Sequence, residues 1–289
     1  MTAPGAALLA VADREEPKLA ATIRRTMKAM RAQFPVSEVA ALIDSGRIYT
    51  LPSLIPWGDI FVMPTYKAEP ALVGDDLQAQ YLQVMIEAAK AGGIEGSSFT
   101  LTNPQAIAAA RARAGTLIAN EKKMTQDAVK RVIVKAVRGN YTGAEAAKMI
   151  ANSIGLDPRS AQAVANYTAQ LSEVKAGNAG LSSLSRGGRA AGSPERYADR
   201  LLKLRSETIA RTEIMSASNE GQLMGWRQAA ADGLLNRQTT MRIFVVTEDD
   251  RLCEECEPLD GETTTFDGSF SEGEPPIHPA CRCTTSLLT

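Results

Sequence analysis

Ser193-Pro194-Glu195 opens SPERYADRLLKLRSETIARTEIMSASNEGQLMGWRQAAA, the stretch that most constrains how this chain can fold. Serine caps a helix, proline suits a first turn whose N–H would have no intrahelical partner, and glutamate sits at the positive end of the helix dipole. These signals predict one long helix from 194 to about 231. Gly221 and Gly225 either bend it or let a neighbouring helix approach.

The same grammar recurs upstream. Pro104 sits where a first helical residue is tolerated, and Ile107 to Ile118 continues the run. In MTQDAVKRVIVKAVRGN the apolar residues Val129, Val132, Ile133, Ala136 and Val137 recur at three- and four-residue spacing, and Gly139-Asn140 supplies the stop. Thr142 and Glu145 form a capping box for TGAEAAKMIANSIG, and Asp157-Pro158 opens a further helix. Nearer the start, helices are expected over Lys18–Phe34, ended by Pro35, over Ser37–Ile48 with Ser37 as cap, and over Asp75–Ala91, stopped by Gly92-Gly93. TLPSLIPWGDIFVMP between them reads as an irregular connection. AGNAGLSSLSRGGRAAGS, 176 to 193, has too little apolar content for core and reads as a mobile loop.

Aromatic residues are only 5% of the 289, against 44% hydrophobic residues overall, which favours close-packed helices over an aromatic-rich sandwich. After Gly233 the character changes, because TMRIFVVTE has the β-branched and aromatic content of a buried strand. The expected fold class is therefore α+β and predominantly α-helical: a helical bundle followed by a small C-terminal β-unit with a zinc site. The expected division is 1–100 as a mostly helical extension of unassigned role, 101–240 as a helical core and 241–289 as a C-terminal β/Cys-His unit. The opening residues lack a basic secretory n-region, and no apolar run is long enough to span a bilayer, so the chain reads as soluble, made in a reducing cytoplasm and without a membrane partner.

A net charge of −1 hides a polarised distribution. Arg111, Arg113, Lys122, Lys123, Lys130, Arg131, Lys135 and Arg138 face only Glu121 and Asp127 in their stretch, whereas from Glu248 onward eleven acidic residues face Arg251 and Arg282. The basic stretch is either a solvated or internally paired helix surface, or a phosphate contact through Lys122, Lys123, Lys130, Arg131, Lys135 and Arg138. The second reading makes DNA a partner.

Metal-type chemistry gathers at one end. Cys253-x2-Cys256 can point two thiolates at one ion, and His278-x2-Cys281-x-Cys283 offers up to three more ligands, with His278 the only histidine of the chain. Five candidates compete for four tetrahedral places: three cysteines with the histidine, or all four cysteines with His278 spare. Glu254, Glu255 and Glu257 would oppose thiolate formation unless a cation were present. Structural zinc is the favoured reading, against buried free cysteines or, in an oxidising compartment, disulfides. A catalytic zinc needs an open position and an acid/base; no second histidine exists to supply one, and Glu272 and Glu274 are the nearby carboxylates. Arg211-Thr212-Glu213 is read as fixing helix register or contacting the cysteine-bearing turn, with Glu207 and Arg211 able to pair at i,i+4.

IARTEIMSASNEGQLMGW, then a strand, then DDRLCEECEPLDGE and PPIHPACRC, resembles the C-terminal part of the phage Mu F-like head morphogenesis (minor capsid) proteins; IGLDPRSAQAVANYTAQL resembles them too, so that the likeness runs over roughly 100–289. The resemblance implies a structural protein of the bacteriophage virion, held in few copies in the capsid interior or at the portal vertex after assembly in the host cytoplasm. Its implied partners are the portal protein, other head proteins and a scaffolding protein, and its implied roles are capsid assembly and DNA packaging or ejection. It implies no enzymatic activity, and suspects Cys253, Cys256, His278, Cys281 and Cys283 of binding metal. The reading from a different class is a zinc-dependent hydrolase or nuclease effector carried in the virion.

Overall fold

The computed structural model describes residues 3–47, 77–100, 102–139, 141–247 and 254–288. They form α1 (Ala3–Ala32), α2 (Val36–Asp44), α3 (Leu77–Ala91), α4 (Pro104–Arg138), α5 (Gly143–Ala151), α6 (Pro158–Lys175), α7 (Arg186–Ala191), α8 (Pro194–Ala231), β1 (Met241–Val245), β2 (Thr263–Thr265) and β3 (Thr284–Leu288). The strands make one antiparallel sheet in the order β2-β1-β3. The fold is thus α+β and mostly helical, with a small C-terminal sheet, as the sequence predicts. TLPSLIPWGDIFVMP and the first two residues of Asp75–Ala91 lie outside the described residues.

The elements divide into two compact units, one built from Ile23–Met63 and Thr116–Ser206, the other from Met1–Thr22, Pro64–Gly115 and Glu207–Thr289. Helices α1, α4 and α8 each contribute residues to both.

In the first unit the capping signals act as written. Thr142 accepts the Glu145 N–H at 3.3 Å while the Glu145 carboxylate takes the Thr142 N–H at 3.0 Å, and Asp157 accepts from the N–H groups of Arg159 and Ser160 at 2.9 and 3.0 Å. Helix α2 runs so close to the start of α5 that a Cβ on Gly143 would sit 2.4 Å from the Ala40 carbonyl oxygen. Its own start differs from expectation: Ser37 lies inside the first turn, Pro35 occupies the cap position, and no side chain caps the helix. Apolar burial at Met27, Val132, Ile150, Leu156 and Tyr167 fills the core, and the Arg205 guanidinium reaches both oxygens of buried Glu121 at 2.8 and 2.7 Å.

The Gly/Ser-rich segment is more ordered in conformation than its composition suggests. It holds a 3-10 turn, Leu181–Ser183, and then α7, capped by Ser185 onto the Gly188 N–H at 3.2 Å. A Cβ on Gly188 would lie 2.1 Å from the Tyr167 ring, so the backbone itself packs on the aromatic face. Packing by absent side chains leaves no apolar signal in a sequence.

In the second unit the glycines of α8 bring backbones together. A Cβ on Gly221 would come within 2.4 Å of Met85 backbone atoms in α3, and one on Gly225 within 2.9 Å of the Ala89 side chain. Close approach, rather than a bend, is therefore what these glycines provide. Trp226, fully buried, donates its indole N–H to the Gly92 carbonyl at 2.8 Å and so satisfies an orphan acceptor after α3. The sheet belongs to this unit and carries a small core of Phe244, Val246, Leu259 and Phe270 together with Cys256, Cys281 and Cys283.

Candidate metal centre

Cys256 precedes a 3-10 turn, Glu257–Leu259, and its backbone carbonyl accepts the Leu259 N–H at 3.0 Å, which fixes the turn that aims the thiol inward. His278 and Cys281 approach from the other side on the segment leading into β3. The Cys256 sulfur lies 3.0 Å from His278 Nε2 and 3.7 Å from the Cys281 sulfur, and the three ligand atoms all fall within 4.8 Å of one another. Cys256 and Cys281 are buried and His278 is half-buried. This cluster can hold a metal ion. A tetrahedral centre with Zn–S bonds of about 2.3 Å separates two sulfurs by about 3.8 Å, so the thiol pair already has the spacing of one tetrahedral edge. The S···N edge would have to open by about half an ångström.

The histidine is oriented for ligation. Its Nδ1 lies 2.9 Å from the Pro279 carbonyl oxygen, which can only accept, so Nδ1 carries the proton and Nε2 is left to face the thiols. Ala280, two residues beyond the histidine, adopts φ +62°, and its N–H donates to the Thr212 hydroxyl of α8 at 2.9 Å. That turn directs Cys281 back toward Cys256.

Of the five residues expected to compete for the ion, three are brought together. Cys253 lies outside the described residues. Cys283 is buried against the thiols of Cys281 and Cys256 but does not join the group that includes His278. Among the described residues, Cys256, Cys281 and Cys283 are not joined to one another by a disulfide. The Cys283 side chain and N–H, with the Ile277 N–H, donate toward the Cys281 sulfur and, against burial, pull its thiol down to about 5, whereas the same contact with Cys281 pushes Cys283 well up. A thiol lowered in this way favours the thiolate, the state in which sulfur binds a cation.

Helix α8 holds the other end of this chemistry. Arg211 forks onto Glu16 of α1 at 2.9 Å to each oxygen, with Glu207 adding attraction, so the i,i+4 pair is secondary to a tertiary one. Thr212 meets Ala280, and Glu213 accepts from the Tyr81 hydroxyl at 3.3 Å. Three consecutive residues therefore bind three different segments, and the contact to the cysteine-bearing turn is made by Thr212. Asn219, two turns on, donates to the Cys283 carbonyl at 3.2 Å and accepts from Thr284 at 2.8 Å.

The basic residues of α4 from Lys122 to Arg138 lie in the other unit. Lys123, Lys130, Arg131 and Arg138 are exposed, Lys122 and Lys135 half-buried. Lys123 pairs with Asp127 at 2.8 Å and Lys135 donates to Asn166 at 2.7 Å. Sequence reasoning missed Asn219 and Arg242, and named Glu274 only as a carboxylate near the cysteines. Arg242 left one trace, a charge at the second position of the otherwise apolar strand MRIFV. Among the described residues, no helix is long and apolar enough to cross a membrane.

A family model described as "Phage Mu protein F like protein" matches residues 120–286, more than half of the chain and all five candidate ligands. Neither the curated proteins nor the solved structures contain a match. The matched region begins within α4, contains α8 with its Thr212 and Asn219 contacts, and ends in β3: the chain belongs to the phage Mu F-like family of head morphogenesis proteins.

Proposed function

We propose that this protein is a minor capsid component that works inside the phage head at the portal vertex, as a structural part of head assembly, with its C-terminal unit closed by a zinc ion. The observation that carries the reading is the meeting of Cys256 with His278 and Cys281 inside the family-matched region. Zinc would be held by these three, with Cys253 or Cys283 as fourth ligand, and would supply a crosslink rather than chemistry: a site of four protein ligands leaves no place for a substrate. Portal and other head proteins are the partners this role requires. The protein is expected to co-purify with assembled heads and portal, and wild-type chain purified under reducing conditions is expected to carry one zinc. Metal-dependent turnover of nucleic acid, abolished by His278→Ala, would instead establish an effector enzyme.

Contact with packaged DNA is a second part of the proposal, supported by the exposure of Lys130, Arg131 and Arg138 along one helix. Neutralising Lys130 and Arg131 is expected to weaken DNA binding and to flatten its salt dependence by about one unit of slope for each phosphate no longer neutralised. Salt-insensitive binding, or none, removes this part and leaves the structural role standing.

A further inference from the structure

Arg242 is an arginine where the strand pattern calls for an apolar residue. It sits in the central strand, 1% exposed, paired in register with Thr264 of β2 and Leu287 of β3. A buried guanidinium needs compensation, and the two terminal nitrogens of this one receive it from a single loop, while Nε finds no partner among the described residues. Its two terminal nitrogens fork onto the Glu274 carboxylate at 2.8 Å each, one of them also reaches the Gly268 carbonyl, and the cation stands 5.2 Å over the Phe270 ring. Phe270 in turn meets Phe244 edge-on at 5.5 Å and packs with Cys256, Cys281 and Cys283.

Glu274 stands four residues before His278. Between them run Pro275, Pro276 and Ile277, the last packed on the cysteine-bearing core. Beyond His278, Ala280 is bonded to Thr212. The histidine therefore rides on a short arm fastened at both ends: to α8 behind it, and to β1 through Arg242 in front of it. The cysteines do not depend on the front fastening, since Cys256 comes from a separate turn and the Cys281–Cys283 segment runs straight into β3, anchored by the Asn219 bond to the Cys283 carbonyl and by the β1–β3 ladder that starts at Thr284.

We propose that the Arg242–Glu274 pair is the positioning device that delivers the imidazole of His278 to the thiols, so that without it the site keeps its sulfur ligands and loses its nitrogen ligand. The pair acts through His278 and touches no ion itself. The inference rests on the metal reading above for its consequence, but not for its geometry. Support for a metal-bound histidine from residues outside the coordination sphere commonly changes metal affinity 10–100-fold.

The test uses the full-length chain under reducing conditions with Co²⁺ as the probe. Glu274→Gln leaves the arginine buried beside a neutral acceptor; the double variant Arg242→Met with Glu274→Gln removes the charge altogether and so guards against simple misfolding. His278→Ala is the reference for a site without nitrogen. Glu121→Gln, which breaks a comparable buried arginine pair in the other unit, is the control for general destabilisation. Both clamp variants are expected to bind Co²⁺ about 10–100-fold more weakly, with visible d–d bands moved toward those of His278→Ala, while Glu121→Gln keeps wild-type bands. Because His278 is the only histidine, its ring gives the only imidazole signals in the NMR spectrum of the metal-free chain. They are expected to collapse toward solvent-averaged positions in the clamp variants alone. Wild-type bands and affinity in both clamp variants, or losses equal to those of Glu121→Gln, overturn the inference. A wild type that takes up no cobalt overturns the metal reading instead, and the imidazole signals then decide the clamp: unchanged signals sink it, collapsed ones uphold it.

Discussion

The α3–α8 contact and the C-terminal sheet belong to one compact unit yet are held by opposite means. Helix α3 buries Tyr81, Val84, Met85, Ile86, Ala88 and Ala89, and α8 meets it with Gly221, Gly225 and Trp226 at near-backbone distance. Many ordinary contacts share the work there. The sheet has few large apolar side chains, chiefly Phe244, Val246, Leu259, Phe266 and Phe270, and each ordered residue costs on the order of 1 kcal/mol or more in backbone freedom. It depends instead on a few strong attachments: the Arg242–Glu274 fork, the Asn219 bridge and the three gathered thiols. A distributed interface degrades gradually when altered, whereas a point-attached one loses at once whatever the altered attachment holds.

The largest expected effect follows from removing the central attachment. Cys281→Ser is expected to abolish metal binding and to erase the NMR dispersion of 241–288, while helical circular dichroism stays close to wild type. Structural zinc sites contribute on the order of 10 kcal/mol in small isolated modules, and the loss here is expected only in the segment that an ion at this cluster would clasp. A variant that keeps both its metal and its sheet would show that the thiols are merely buried. Chelation of the wild-type chain should reproduce the variant.

Breaking the distributed interface needs steric force. Gly221→Val places a side chain where Met85 backbone atoms lie 2.4 Å from the Cβ position, and neither helix backbone can yield cheaply. Overpacking of this kind costs about 3 kcal/mol, which should appear as a matching fall in urea midpoint with the metal content unchanged. Retained metal separates this lesion from that of Cys281→Ser. Equal loss of metal in both variants would mean that the sheet rests on the helices rather than on its own attachments.

That contrast also decides what the sequence could reveal. Helix limits were legible where a cap is local, as at Thr142-x2-Glu145, Asp157-Pro158 and Ser193-Pro194, because the partner lies within three residues. The cysteine and histidine ligands were legible as residue types, but spacing alone could not say which of five converge. Long-range partners left almost no trace. Nothing in the neighbourhood of Arg211 names Glu16, and nothing near Asn219 names Cys283, since those contacts exist only once α8 has docked. Gly188 and Ser37 mark the two ways a local rule was overridden: a glycine packing as backbone against Tyr167, and a helix beginning one residue before its apparent cap.

The smallest expected effect lies where a local attachment can be weakened without being removed. Burial pushes the Asp157 carboxyl up, but the Ser160 and Arg159 bonds and the nearby Arg205 cation outweigh it and hold its pKa below the ordinary value. A folded-state pKa below the unfolded one means the ionised cap adds stability above the unfolded pKa, and this contribution is lost as pH falls through the lower, folded value. Asp157→Asn keeps the accepting oxygen and discards the charge, so the cap bond survives and only the attraction to the helix N-terminus and to Arg205 at 3.8 Å goes. The variant should be less stable than wild type by about 0.5–1 kcal/mol at neutral pH, and the two denaturation midpoints should converge as the pH is lowered below that of a free aspartate. No gap at neutral pH would assign the cap's contribution to the hydrogen bonds alone, and a gap that stays constant across that range would show that the charge is not its source.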